Sequence, residues 1–210
     1  MVSEWNFYEA KVHIFKRIEN ELPDGLYYHG LAHTKDVLLW AEQFARIEGV
    51  TKQDLIMVKT AAAYHDSGFI FQYEKNEPIG VKIAWNYLPK CGYSNREIER
   101  ISEIIMATQM KSANGKVIQI PNKSDLLQRI ICDADLNYLG REDFFEISEN
   151  LRLELKKHEK MFSKKEWIEG NIKFLKNHSY FTNAAKLLRS EGKKRNLSLL
   201  EENLSQLTLF

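Results

Sequence analysis

The chain is 210 residues long, with 44% hydrophobic and 28% charged residues, a balance that excludes wholesale disorder and leaves enough material for a sizeable core. Its formal net charge of +1 provides no global field to select nucleic acid or an anionic membrane surface. No apolar run approaches the roughly 20 residues of a membrane helix, the N-terminus has no apolar leader segment, and Cys91 and Cys132 have the spacing of neither a disulfide framework nor a cysteine zinc site; the expectation is a soluble, cytoplasmic protein with no membrane partner.

Trp5, Tyr8, Val12, Phe15 and Ile18 recur at steps of three or four, the period of an amphipathic helix, and predict one over 3–20. Further helices are predicted over 31–48, 52–66, 77–90, 95–109, 124–138, 142–160, 164–177, 182–191 and 197–208. Ser94-x-x-Glu97 and Ser163-x-x-Glu166 read as capping boxes at two of the starts, with Thr51-x-x-Asp54 a weaker relative. The longest irregular stretch, 110–123, holds the one strand candidate, Val117 to Ile120, after a turn-like Asn114-Gly115. No linker or repeat divides the chain, so a single all-α domain over 1–210 is predicted. Basic residues outnumber acidic ones over 151–210, which reads as a solvated helical face; the short Lys193-Lys194-Arg195 run lacks interleaved aromatics and argues against nucleic acid. Leu197, Leu200, Leu204 and Leu207 form a narrow apolar seam. A seam of this kind must be covered, either by the chain's own helices or by a second copy in a two-fold homodimer.

The histidines and aspartates carry the chemistry. At 100° per residue, His33 lies in line with Val37, Trp40 and Phe44, and His65 continues the face of Val58 and Ala62. Asp135 follows Leu127 and Ile131 and points inward, whereas Asp133 shares its side with Arg129 and Asn137 and is expected to be more exposed. An inward histidine is commonly a hydrogen-bonded core residue. A buried, unpartnered carboxylate costs several kcal/mol, and two inward histidines with Asp66 and Asp135 make joint sense if they converge on a divalent cation.

His33, then His65-Asp66 about thirty residues on, then an aspartate in Ala134-Asp135-Leu136, resembles the HD-domain superfamily of metal-dependent phosphohydrolases. The resemblance covers about residues 25–140. It implies a helical bundle of the HD type with His33, His65, Asp66 and Asp135 as ligands of a divalent ion (Mn, Mg, Co, Ni, Zn or Fe), and residues 141–210 packing on that core. Tyr28-His29-Gly30-Leu31-Ala32-His33-Thr34-Lys35-Asp36-Val37 is similar to the YHNxxHxxDV stretch of class I cyclic-nucleotide phosphodiesterases, with Gly30 in place of Asn. That similarity implies His29 as general acid. Glu77-Pro78-Ile79-Gly80, Ile105-Met106-Ala107-Thr108 and Asp133 through Gly140 resemble a bacterial subgroup named mostly as predicted phosphohydrolases. The implied function is hydrolysis of a phosphomonoester or phosphodiester in a small phosphorylated substrate such as a nucleotide, with His29 and Asp66 catalytic. Lys35 and Arg141 are the nearest candidates for phosphate contacts. A non-catalytic HD-type sensing module is the alternative. An HD-type iron oxygenase would need Glu74 or Glu77 as ligands, because residues 67–132 contain no histidine.

Overall fold

The structure, a computed structural model, describes residues 5–113 and 115–207; the predicted helix positions 3, 4 and 208 and the turn residue Asn114 lie outside them. Helix α1 (Phe7–Glu21) starts where the Asn6 side chain accepts the Glu9 N–H. Its core-facing stripe is Ala10, Ile14 and Ile18, which corrects the predicted face. Tyr8 is 71% exposed, because the aliphatic edge meets α3, where the Tyr64 hydroxyl donates to the Ala10 carbonyl. Helix α2 (Leu31–Ile47) buries Val37, Ala41 and Phe44. Helix α3 (Lys52–Tyr64) is capped by Thr51, buries Ala61, Ala62 and Ala63, and packs against α2. Helix α4 is Asn76–Tyr87, and α5 (Asn95–Met106) opens on the Ser94/Glu97 capping box and buries Ile98, Ile101, Ile104 and Ile105. Helix α6 (Leu126–Asp135) starts at Asp125, whose carboxylate accepts the Leu127 and Gln128 N–H groups. These six helices share one core.

Helices α7 (Phe144–Lys157), α8 (Lys164–Asn177) and α9 (Asn183–Leu207) build a second core. It comprises Leu136, Tyr138, Leu139, Phe144, Ile168, Ile172, Leu175 and Leu200. Leu200 is buried and Leu197 and Leu204 pack against the same core, while Leu207 is 40% exposed; along 197–204 the leucine seam is covered by the chain's own helices.

Two local readings change. The helices predicted over 182–191 and 197–208 are one continuous α9. The glycine within it has a packing cause. A Cβ at Gly192 would stand 2.0 Å from the Gly140 carbonyl oxygen, and one at Gly140 would stand 2.3 Å from the Arg189 carbonyl oxygen, so Gly192 is there for a backbone crossing. Asn196 locks the crossing by donating to the Leu139 and Arg141 carbonyls at 3.0 and 2.8 Å. The stretch predicted as mostly irregular contains an antiparallel hairpin, β1 (Met110–Ala113) with β2 (Lys116–Gln119), in which Met110 pairs with Gln119 and Ala113 with Lys116. Gly115, between the strands, has φ +72°, the left-handed conformation that glycine adopts without steric cost. Among the described residues no helix is long and apolar enough to cross a membrane.

Candidate metal centre

Three helix ends meet between the two cores. His33 lies in the first turn of α2, His65 caps the C-terminus of α3, Asp66 follows it, and Asp135 is the last residue of α6. Gly80 of α4 allows this meeting, since a Cβ there would stand 2.9 Å from the Tyr64 carbonyl oxygen and 3.3 Å from that of His65. His33 Nε2 is 3.3 Å from Asp66 Oδ2 and 3.1 Å from Asp135 Oδ1. His65 Nε2 is 3.1 Å and 3.6 Å from the same two oxygens. The four expected ligands therefore face one point. Among the described residues, His33, His65 and Asp66 form a group close enough to hold a metal ion, and Asp135 Oδ1, 3.1 and 3.6 Å from the two histidine nitrogens, stands beside that group as a further donor.

The electrostatics fit a divalent cation. His65 Nδ1 lies 2.9 Å from the Ala62 carbonyl, which can only accept, so Nδ1 carries a proton and Nε2 is the atom that faces the carboxylates. His65 Nε2 and Asp66 Oδ2 are buried 3.1 Å apart, and neither makes a hydrogen bond of good geometry among the described residues; an ion between them would satisfy both. Burial opposes charge on His33, but Asp135 and Asp66 outweigh it and raise its pKa to about 9. The same balance lifts His65 well above its ordinary value. Burial pushes Asp66 and Asp135 up, yet the histidines hold Asp66 well below the carboxylate range and Asp135 at about 2. Two imidazolium protons between two carboxylates give a neutral cluster, and so does one divalent cation in place of those two protons.

Asp133 is outside the cluster, as its facing predicts, but it is not exposed. It is fully buried and accepts the Phe181 N–H, the Thr182 N–H and the Thr182 hydroxyl at 2.8, 2.7 and 2.7 Å. Residues 133 and 135 are about 200° apart on a helix, and the far side of α6 is covered by the start of α9. Glu74 is a 76% exposed side chain paired with Lys160, and Glu77 is buried but meets Gln109. Neither belongs to the metal-competent group.

His29 stands beside the cluster, its ring 5.9 Å from that of His33 and stacked on Phe69 at 4.2 Å. Its side chain is 20% exposed. Sequence reasoning missed its partner, Glu154. That side chain is fully buried, lies against His29 Nδ1, and accepts the Tyr28 and His29 N–H groups at 2.8 and 3.0 Å and the Tyr73 hydroxyl at 3.0 Å. Burial pushes the Glu154 carboxyl up, but His29 and the two N–H donors outweigh it and keep it below the usual range. The signal was present: Phe144, Ile147, Leu151 and Glu154 are spaced three, four and three, which puts an acid on an apolar stripe.

A cleft of about 270 Å³ opens over His33, lined by Tyr27, Tyr28, Asp36, Tyr138, Arg141 and Asn150 among others. Arg141 lines it with its guanidinium shared between Asp36, at 2.7 Å, and Asp143. Lys35 is exposed on α2.

No known family profile matches the sequence, and no curated protein matches it. The fold itself is shared. The chain superposes on the Lin1889 protein of Listeria innocua with a TM-score of 0.66 at 14% identity, over 98% of this chain and 99% of that one. It superposes on a Lactobacillus plantarum protein with a TM-score of 0.70 at 15% identity, over 100% of both chains. Both were determined as structural-genomics targets, and likeness at this identity establishes the all-α architecture alone.

Proposed function

We propose that this chain is a divalent-metal-dependent phosphohydrolase acting on a small phosphorylated molecule. The observation that carries the reading is the convergence of His33, His65, Asp66 and Asp135 with two buried donor atoms, His65 Nε2 and Asp66 Oδ2, lacking hydrogen bonds of good geometry. The HD-type resemblance of the same four residues gives the reaction class. A divalent ion held there would supply a water of lowered pKa and positive charge against a phosphoryl group. The chain's own residues do the rest. Glu154 holds the His29 ring through Nδ1, which leaves Nε2 to give a proton to the leaving oxygen. Tyr28 and Phe69 flank that ring and narrow its access to water. The cleft above His33 has room for a small molecule, and Arg141, which lines it, is a group able to meet an anionic oxygen. Cys91 and Cys132 are buried and unpaired, in keeping with work in a reducing cytoplasm.

The test is a screen of phosphomonoesters, phosphodiesters and nucleotides with Mn, Mg, Co, Ni and Zn ions, with His65→Ala as control. Turnover that needs the ion and vanishes in the variant supports the reading. Stoichiometric ion binding with no turnover on any substrate favours the sensing module, and a chain that takes up no ion refutes both.

A further inference from the structure

The hairpin β1–β2 inverts the usual burial rule. In β2, Val117 is 53% exposed while Gln119 is 4% exposed. A two-stranded sheet of four-residue strands gains little from its own ladder, so a buried polar residue at its end calls for a reason. Gln119 Nε2 donates to Asp135 Oδ2 at 2.6 Å and to the Thr108 carbonyl at 2.9 Å. Both partners are acceptors, so the amide has one orientation, nitrogen toward Asp135. The other oxygen of that carboxylate, Oδ1, is the one 3.1 Å from His33 and 3.6 Å from His65. Gln119 thus donates to the outer oxygen of Asp135, whose inner oxygen faces the cluster.

We infer that Gln119 is a positioning residue for the metal centre, acting through Asp135. This rests on the metal reading above and adds to it a residue from outside the helical bundle. A carboxylate free to rotate would spend part of its time with neither oxygen on the ion. A neutral donor fixes its rotation without contributing charge of its own. Thr108, whose side chain is buried at the end of α5, ties the same amide to the helical core, so the hairpin does not have to hold Gln119 unaided.

The metal-free, full-length protein is titrated with Mn2+ by calorimetry as wild type, Gln119→Leu and Gln119→Met, with thermal unfolding of the metal-free forms alongside. Both variants should bind Mn2+ about 10–100-fold more weakly, the usual effect of losing a partner of a ligand. A folded variant that binds as tightly as wild type overturns the inference, because a purely structural role would lower the melting temperature and leave affinity alone. A second measurement needs no variant. In wild type with 15N-labelled glutamine, the Gln119 side-chain amide pair should shift on stoichiometric addition of Zn2+, and a pair that stays in place overturns the inference. A wild type that binds neither ion overturns the metal reading and this one together, whereas binding that is indifferent to Gln119 overturns this one alone.

Discussion

Asp133 and Asp135 are two residues apart, both aspartates and both lacking free access to solvent, yet the structure surrounds them with different partners. Replacing Asp133 by Ala removes the acceptor for the Phe181 N–H, the Thr182 N–H and the Thr182 hydroxyl. The hydroxyl can turn, but the two backbone donors at the start of α9 cannot, and each unsatisfied buried donor costs about 1–3 kcal/mol. The expected loss is about 2–6 kcal/mol. At about 2–4 °C per kcal/mol for a chain of this size, the melting temperature should fall by roughly 4–24 °C. The metal content of the folded variant should stay at the wild-type level. Asp135→Ala should do the reverse, abolishing ion binding with a smaller effect on the metal-free melting temperature. The assay is thermal unfolding of metal-free protein paired with elemental analysis after metal loading. An Asp133→Ala protein that melts like wild type but has lost its ion would refute both the assignment of the ligand and the account of how α9 is anchored.

His29→Asn should keep metal affinity and lower turnover by about 10²–10⁴-fold; Glu154→Gln, which cannot accept all of its donors, should lower turnover within the same range, and steady-state kinetics with calorimetry on each variant would check both. Burial, with Lys193 beside it, depresses the His178 pKa from 6.5 to about 3. The unfolded chain then binds the extra proton between those values, so stability should be full above pH 6.5 and decline toward pH 3, by up to about 1.4 kcal/mol per pH unit; urea titrations of His178→Phe across pH 4–7 should show a shallower decline. Gly192→Ala puts a Cβ against the Gly140 carbonyl, and forcing the crossing apart should cost about 1–3 kcal/mol or more, whereas Leu207→Ala, at an exposed site, should stay within about 0.5 kcal/mol; paired thermal melts separate the two.

What the sequence settles by itself is much of what is fixed within a turn or two of chain, though not the buried face of α1. The Ser94 and Ser163 capping boxes formed as read, because a cap is a bond across three residues. The facing of His33, His65 and Asp135 held because side-chain direction on a helix follows from position alone. The all-α class followed from the same periodicity. Tertiary structure decided what lies opposite each face. Asp133 points away from the cluster as its angle requires, but α9, 49 residues on, turns that side of α6 into interior. Glu154 reaches His29 across 125 residues and Gln119 reaches Asp135 across 16. Neither partnership has a local pattern, since only the packing of α7 and the hairpin brings the atoms together. The continuity of α9 through Gly192 is of the same kind. Glycine is a poor helix former by propensity, and the reason for one at position 192 is the backbone of Gly140 lying against it, a contact 52 positions away in the chain that propensity does not encode.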